Sequence, residues 1–154
     1  MWRRFRYVLL LIGLCSIATC PAAKRGCTAK QRAKEADQLL EYLADRVEAS
    51  IGATGHVPGT AAGPTPLPTC CEVGGTCEPD PTTFASPGWQ ALQFSIDGDF
   101  RYTYTYQPDP SGRSAVIRAV GDLDCDGESS LYEVEVRIDG AGVTRTWTRK
   151  QPYE

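Results

Sequence analysis

The sequence predicts an α+β fold: one long N-terminal amphipathic helix packed on an antiparallel β-meander. Three observations predict it. Residues 28–50 repeat apolar side chains at three- and four-residue spacing. Residues 89–154 fall into short apolar–polar alternating runs separated by Gly, Asp and Pro turns. Residues 52–88, between them, are rich in Gly, Pro and Cys and carry no period. A helix followed by consecutive hairpins buries its apolar stripe against one face of the sheet.

The elements follow in chain order. Residues 1–18 are expected to be an export signal. Trp2 to Arg6 supply a basic start, Tyr7 to Leu14 a short apolar run, and Ser16-Ile-Ala18 the small residues of a cleavage site. Two alternatives stand beside it. Ile17-Ala-Thr-Cys20 is compatible with a lipoprotein signal that modifies Cys20, and the segment is also compatible with a retained membrane anchor. On each of these readings the protein is exported and is periplasmic, extracellular or envelope-anchored, with membrane contact only through the N-terminal segment. Cleavage after Ala18 leaves Cys20, Cys27, Cys70, Cys71, Cys77 and Cys125, an even set that can close wholly into disulfides. The pattern Cys70-Cys-x5-Cys77 lacks the paired C-x2-C spacing of a zinc site.

Residues 19–51 form the helical region. Ala33, Ala36, Leu40, Leu43 and Val47 lie on one face, and Gly52 is a plausible stop. Residues 52–88 form an irregular loop holding the cysteine cluster and His56, which has no nucleophile or orienting group beside it in sequence. Residues 89–154 form the sheet, expected to start with a strand from Trp89 to Ile96. After a turn at Asp97-Gly-Asp99, Phe100, Tyr102, Tyr104 and Tyr106 share one strand face and read as core. The runs Ser114–Val120, Leu131–Ile138 and Val143–Thr148 complete the meander.

Gly121 to Glu133 is the segment with chemistry in it. From Asp122 it matches the calcium-loop pattern D-x-D-x-D-G-x5-E. Asp122, Asp124 and Asp126 offer carboxylates, and Gly127 gives the sharp turn. Glu128 offers a backbone carbonyl, Ser130 a hydroxyl or bridging water, and Glu133 a bidentate carboxylate. The expected cofactor is a structural Ca2+. Both flanks read as strands, so no helix pair exists to open, and an acidic hairpin turn is the alternative. Charge excludes other classes. Sixteen basic and 19 acidic residues give a net charge of −3, with no pull toward nucleic acid. No Ser/His/Asp or Cys/His arrangement is visible, and the chain is expected not to be an enzyme.

Three motifs together resemble bacterial type IV pilin-like and pseudopilin-like proteins. They are Cys70-Cys71 to Cys77, Trp89-Gln-Ala-Leu-Gln-Phe94 and Gly121-Asp-Leu-Asp-Cys-Asp-Gly127, with Lys30 to Leu43 as a weaker echo of the pilin helix. The prepilin cleavage motif is not among them. The resemblance implies a pilin-like fold, a structural calcium in the C-terminal sheet, and other cell-envelope or pilus-like proteins as partners. The expected function is therefore an exported, non-enzymatic, pilin-like structural or interaction protein of the bacterial cell envelope. The alternative is a secreted calcium-dependent ligand-binding module that presents the aromatic stripe or the Pro/Gly loop. Burial of Tyr102, Tyr104 and Tyr106 separates the two.

Overall fold

The structure, a computed structural model, describes residues 21–154, with side chains from residue 30 onward. The expected export signal and Cys20 and Cys27 lie outside those descriptions. Helix α1 (Pro21–Thr54) comes first, then strand β1 (Ala62–Thr65), a 3-10 turn (Cys71–Val73) and the short helix α2 (Pro87–Ala91). Strands β2 (Thr103–Pro108), β3 (Ser114–Gly121), β4 (Ser130–Asp139) and β5 (Gly142–Lys150) follow. The five strands lie in sequence order in one antiparallel sheet.

The expected fold class needs correction. The molecule is mostly a five-stranded antiparallel sheet rather than a long N-terminal helix carrying a meander. The helix that packs is short, residues 30–54. Its anchoring side chains begin at Ala33 and end at Ile51. A coarse α+β composition survives.

Two further corrections concern where the sheet begins. The expected strand from Trp89 is a helical turn. Pro87 sits in its first turn, where a missing N–H costs nothing, and Trp89 and Leu92 are both fully buried at i, i+3 spacing. Helical spacing of two large apolar groups outweighs the β propensity of the run. The first strand instead comes from the Gly/Pro segment. Ala62 pairs with Tyr106 and Thr65 with Tyr104, with an irregular register between them. Gly63 allows this close approach: a Cβ there would lie 2.2 Å from the Tyr104 carbonyl oxygen. The Trp89 indole N–H donates to Thr65 Oγ1 at 3.0 Å and ties α2 to that edge.

The core lies between the helix and one sheet face. Large and small side chains alternate across the register. Tyr104 stands beside Ala119 and then Tyr132, and Tyr106 beside Ile117 and then Val134. Ala33, Ala36 and Ala44 let the helix approach β3 and β4, while Leu40, Leu43, Val47 and Ile51 fill the space. Phe84, Trp89, Phe94 and Phe100 form an aromatic cluster that closes the β2 end, with centroid separations of 5.1 to 5.8 Å. Two disulfides, Cys70–Cys77 and Cys71–Cys125, hold the segment that lacks apolar material of its own.

Candidate functional site

The acidic loop joins β3 to β4. Val120 pairs with Leu131 and Gly121 with Ser130, so the backbone groups of residues 122–129 must find partners outside the ladder. Asp122 supplies two of those partners. Its carboxylate accepts from the Gly127 N–H at 2.9 Å and from the Asp126 N–H at 3.2 Å. Asp126 in turn accepts from the Glu128 N–H at 2.9 Å. Gly127 and Cys125 take left-handed backbone angles, φ 98° and 61°. The turn is folded by its own carboxylates.

The carboxylates of Asp122, Asp124 and Asp126 each place an oxygen within 4.8 Å of the others. Asp122 is half-buried, and Asp124 and Asp126 are exposed. Three outside groups fix this trio. Leu123 turns inward and is buried, and its carbonyl accepts from Arg32 Nη1 of α1 at 2.8 Å. Cys125 is bonded to Cys71, whose sulfur lies 2.8 Å from the Asp122 carbonyl oxygen. Ser130 is fully buried and donates to the Gly121 carbonyl at 2.8 Å, closing the neck.

The expected donor set is therefore corrected at two places. Ser130 is committed to the neck of the loop. Glu133 is not at the loop at all: it sits in β4 on the outer sheet face, 2.6 Å from Arg118 Nε. The pattern D-x-D-x-D-G-x5-E presupposes a helical exit that turns the last carboxylate back. A strand instead carries it about 10 Å beyond Ser130. Glu128 donates its N–H to Asp126, and its side chain accepts from Gln151 Nε2 at 3.2 Å.

Sequence spacing missed Glu154. Partial desolvation, followed by the charges of Asp124, Asp126, Glu128 and Asp122, holds its carboxyl above the usual carboxylate range. It lies one strand away in sequence, at the end of a chain that Tyr132 holds by donating its hydroxyl to the Pro152 carbonyl. Arg32 was equally illegible, since nothing in a helix sequence marks a guanidinium that reaches a loop carbonyl 91 residues away. The bridge to the loop did have a signal, a cysteine at a non-ligand position of the pattern.

The other candidates resolve simply. Phe100, Tyr102, Tyr104 and Tyr106 are all buried, so the aromatic stripe is core. His56 is exposed just past the end of α1. Among the described residues, no helix is long and apolar enough to cross a membrane. The two disulfides are compatible with a protein of an oxidising, exported compartment. No protein-family model, curated protein or solved structure matches this chain.

Proposed function

We propose that the protein is an exported, non-enzymatic structural or interaction domain of the cell envelope, and that its acidic loop takes a structural calcium ion. The observation that carries the calcium reading is the convergence of the Asp122, Asp124 and Asp126 carboxylates within 4.8 Å. Calcium takes six to eight oxygen ligands in flexible geometry. These carboxylates with the Glu128 carbonyl would supply part of that number, and waters the rest. Without Glu133 the site is weaker than a complete calcium loop, in the range of extracellular modules rather than of cytosolic sensors.

Burial of the aromatic stripe supports the structural reading over a module that presents that stripe. The pilin-like motifs at residues 70–77, 89–94 and 121–127 support other envelope proteins as the partner class. Periplasmic, extracellular and anchored locations are each consistent with that role.

A thermal melt of the full oxidised chain, with calcium and then with excess chelator, tests the reading. Calcium is expected to raise the melting temperature, because an ion that binds only the folded state stabilises it. The double variant Asp124→Ala, Asp126→Ala is expected to melt identically with and without calcium. Superimposable wild-type melts would leave the segment as a hairpin turn.

A further inference from the structure

The two edges of the sheet are built differently. β1 has four residues, contains Pro64 and pairs irregularly with β2. Those features stop further pairing. β5 has nine residues and no proline, and it pairs with β4 in unbroken register from Gly142 to Lys150. Among the described residues no strand pairs with its outer side.

Charged side chains commonly guard such an edge. Here they are drawn away from it. Arg145 binds Glu41, Asp45 and Glu48 of α1 at 2.6 to 2.7 Å. Arg149 binds Asp37 at 2.8 Å and lies over the Trp147 ring, 5.1 Å from its centroid. Two of the three cations of β5 are thus held by α1, and Lys150 stays exposed at the end of the strand.

The turn fixes which backbone groups are free. Asp139 faces Gly142 across the two-residue turn Gly140-Ala141. In such a hairpin the hydrogen-bonded pairs fall at Gly142, Thr144, Thr146, Thr148 and Lys150. The N–H and C=O groups of Val143, Arg145, Trp147 and Arg149 therefore point outward. The strand also reads almost symmetrically about Thr146: Thr144-Arg-Thr-Trp-Thr148.

We propose that the outer edge of β5 binds a second copy of this chain, the two strands pairing antiparallel about a two-fold axis at Thr146 and joining both sheets into one. This is an isologous contact, the same surface used by both copies. Thr146 then faces its own counterpart, and Thr144 faces Thr148 of the other copy, pairs that favour strand association. Arg145 faces Trp147 across the axis, with each guanidinium kept on the carboxylates of its own α1. Charge selects this register. Moving the axis to Trp147 sets Arg145 against Arg149, and moving it to Arg145 sets that residue against itself.

Sedimentation of the full oxidised chain, with Thr146→Lys beside it, tests the contact. In a single copy Thr146 stands on the outer sheet face opposite Glu135, so the ammonium is accommodated and the melting curve is unchanged. Across the axis two ammonium groups meet, and the dissociation constant of the dimer is expected to rise about tenfold or more. A cysteine test fixes the register, with Cys15, Cys20 and Cys27 replaced by serine. Thr146→Cys is expected to form a disulfide-linked dimer under mild oxidation, and Thr144→Cys is not. A wild-type chain that stays monomeric would overturn the proposal. So would a dimer that Thr146→Lys leaves intact, or one in which Thr144→Cys cross-links as readily as Thr146→Cys.

Discussion

Glu35 is the residue whose surroundings bear most directly on stability. It lies on α1 between Ala33 and Ala36, both buried, and its carboxylate is carried into the helix–sheet junction. It accepts from the Arg101 N–H at 2.9 Å, the Tyr104 hydroxyl at 3.0 Å and the Tyr102 N–H at 3.4 Å. Burial raises its pKa, and those three donors with the Arg101 charge only partly oppose the rise. The fold therefore binds this proton more tightly than the unfolded chain does. Its contribution to stability is full below about pH 4.5 and is lost as pH rises through the raised folded value. Glu35→Gln keeps an acceptor and removes the titration. The stability of Glu35→Gln relative to wild type is therefore expected to increase as pH rises through that window, read from paired denaturant melts. Glu35→Ala leaves the donors unanswered and is expected to cost about 2 to 3 kcal/mol at low pH, and less as pH rises through the same window. A constant wild-type-minus-Gln difference across pH would refute the assignment. Nothing in the sequence distinguishes Glu35 from a solvated helix carboxylate, because its partners arrive from residues 101–104 through the fold. The acidic loop is legible for the opposite reason. Its carboxylates at alternate positions meet through a local turn, and only Glu133, whose position depends on the element that follows, escapes the pattern.

At the scale of elements, α1 is fastened to β5 by charge as well as by its apolar stripe. Asp37, Glu41, Asp45 and Glu48 run along one helix face at three- and four-residue spacing, and Arg145 and Arg149 reach them from the strand. Hydrogen bonds that it donates to Glu48 and then to Asp45 hold the Arg145 guanidinium charged even more firmly than usual, against the cost of its burial. Its side chain is 19% exposed, whereas Asp45 is 62% exposed, so solvent screens much of the attraction. Arg145→Met keeps the stem against the sheet and removes the charge. It is expected to cost about 1 to 2 kcal/mol at low salt and less at high salt. Arg145→Lys should recover little, because an ammonium cannot span three carboxylates as a guanidinium does. A loss for Arg145→Met that salt leaves unchanged would mean that packing, not the ion network, holds the two elements. The helix stripe was readable from Ala33 to Val47 because its period is local. The misread elements, β1 and α2, depend on neighbours. Ala62–Thr65 becomes a strand because Tyr104 and Tyr106 offer it an edge, and Trp89 turns helical because Leu92 can then share its burial.

At the scale of the whole molecule, the disulfides do for residues 55–86 what apolar burial does elsewhere. That segment buries Val57, Ala62, Cys70, Cys77 and Phe84 and is otherwise largely exposed or half-exposed. An even cysteine set foretold bridges, but their pairing depends on where the acidic loop lands, and no spacing along the chain encodes that. The two bridges constrain the unfolded chain unequally. Cys70–Cys77 closes a separation of 7 residues, and Cys71–Cys125 one of 54. Chain entropy alone assigns about 2 kcal/mol to the first and about 4 kcal/mol to the second. Cys71→Ser with Cys125→Ser is therefore expected to lower the melting temperature more than Cys70→Ser with Cys77→Ser, by roughly 4 to 8 °C for a domain of this size. The long bridge has a second consequence that the short one lacks. Cys125 sits inside the acidic loop and Cys71 packs on the Asp122 carbonyl, so cutting that bond frees the proposed calcium ligands to spread. The calcium-dependent part of the melting shift should therefore shrink in the Cys71/Cys125 pair and persist in the Cys70/Cys77 pair. Equal losses from the two pairs would show that residual unfolded-state structure, rather than loop length, sets the bridges' contribution. A calcium shift that survives intact without Cys125 would show that the carboxylates converge on their own.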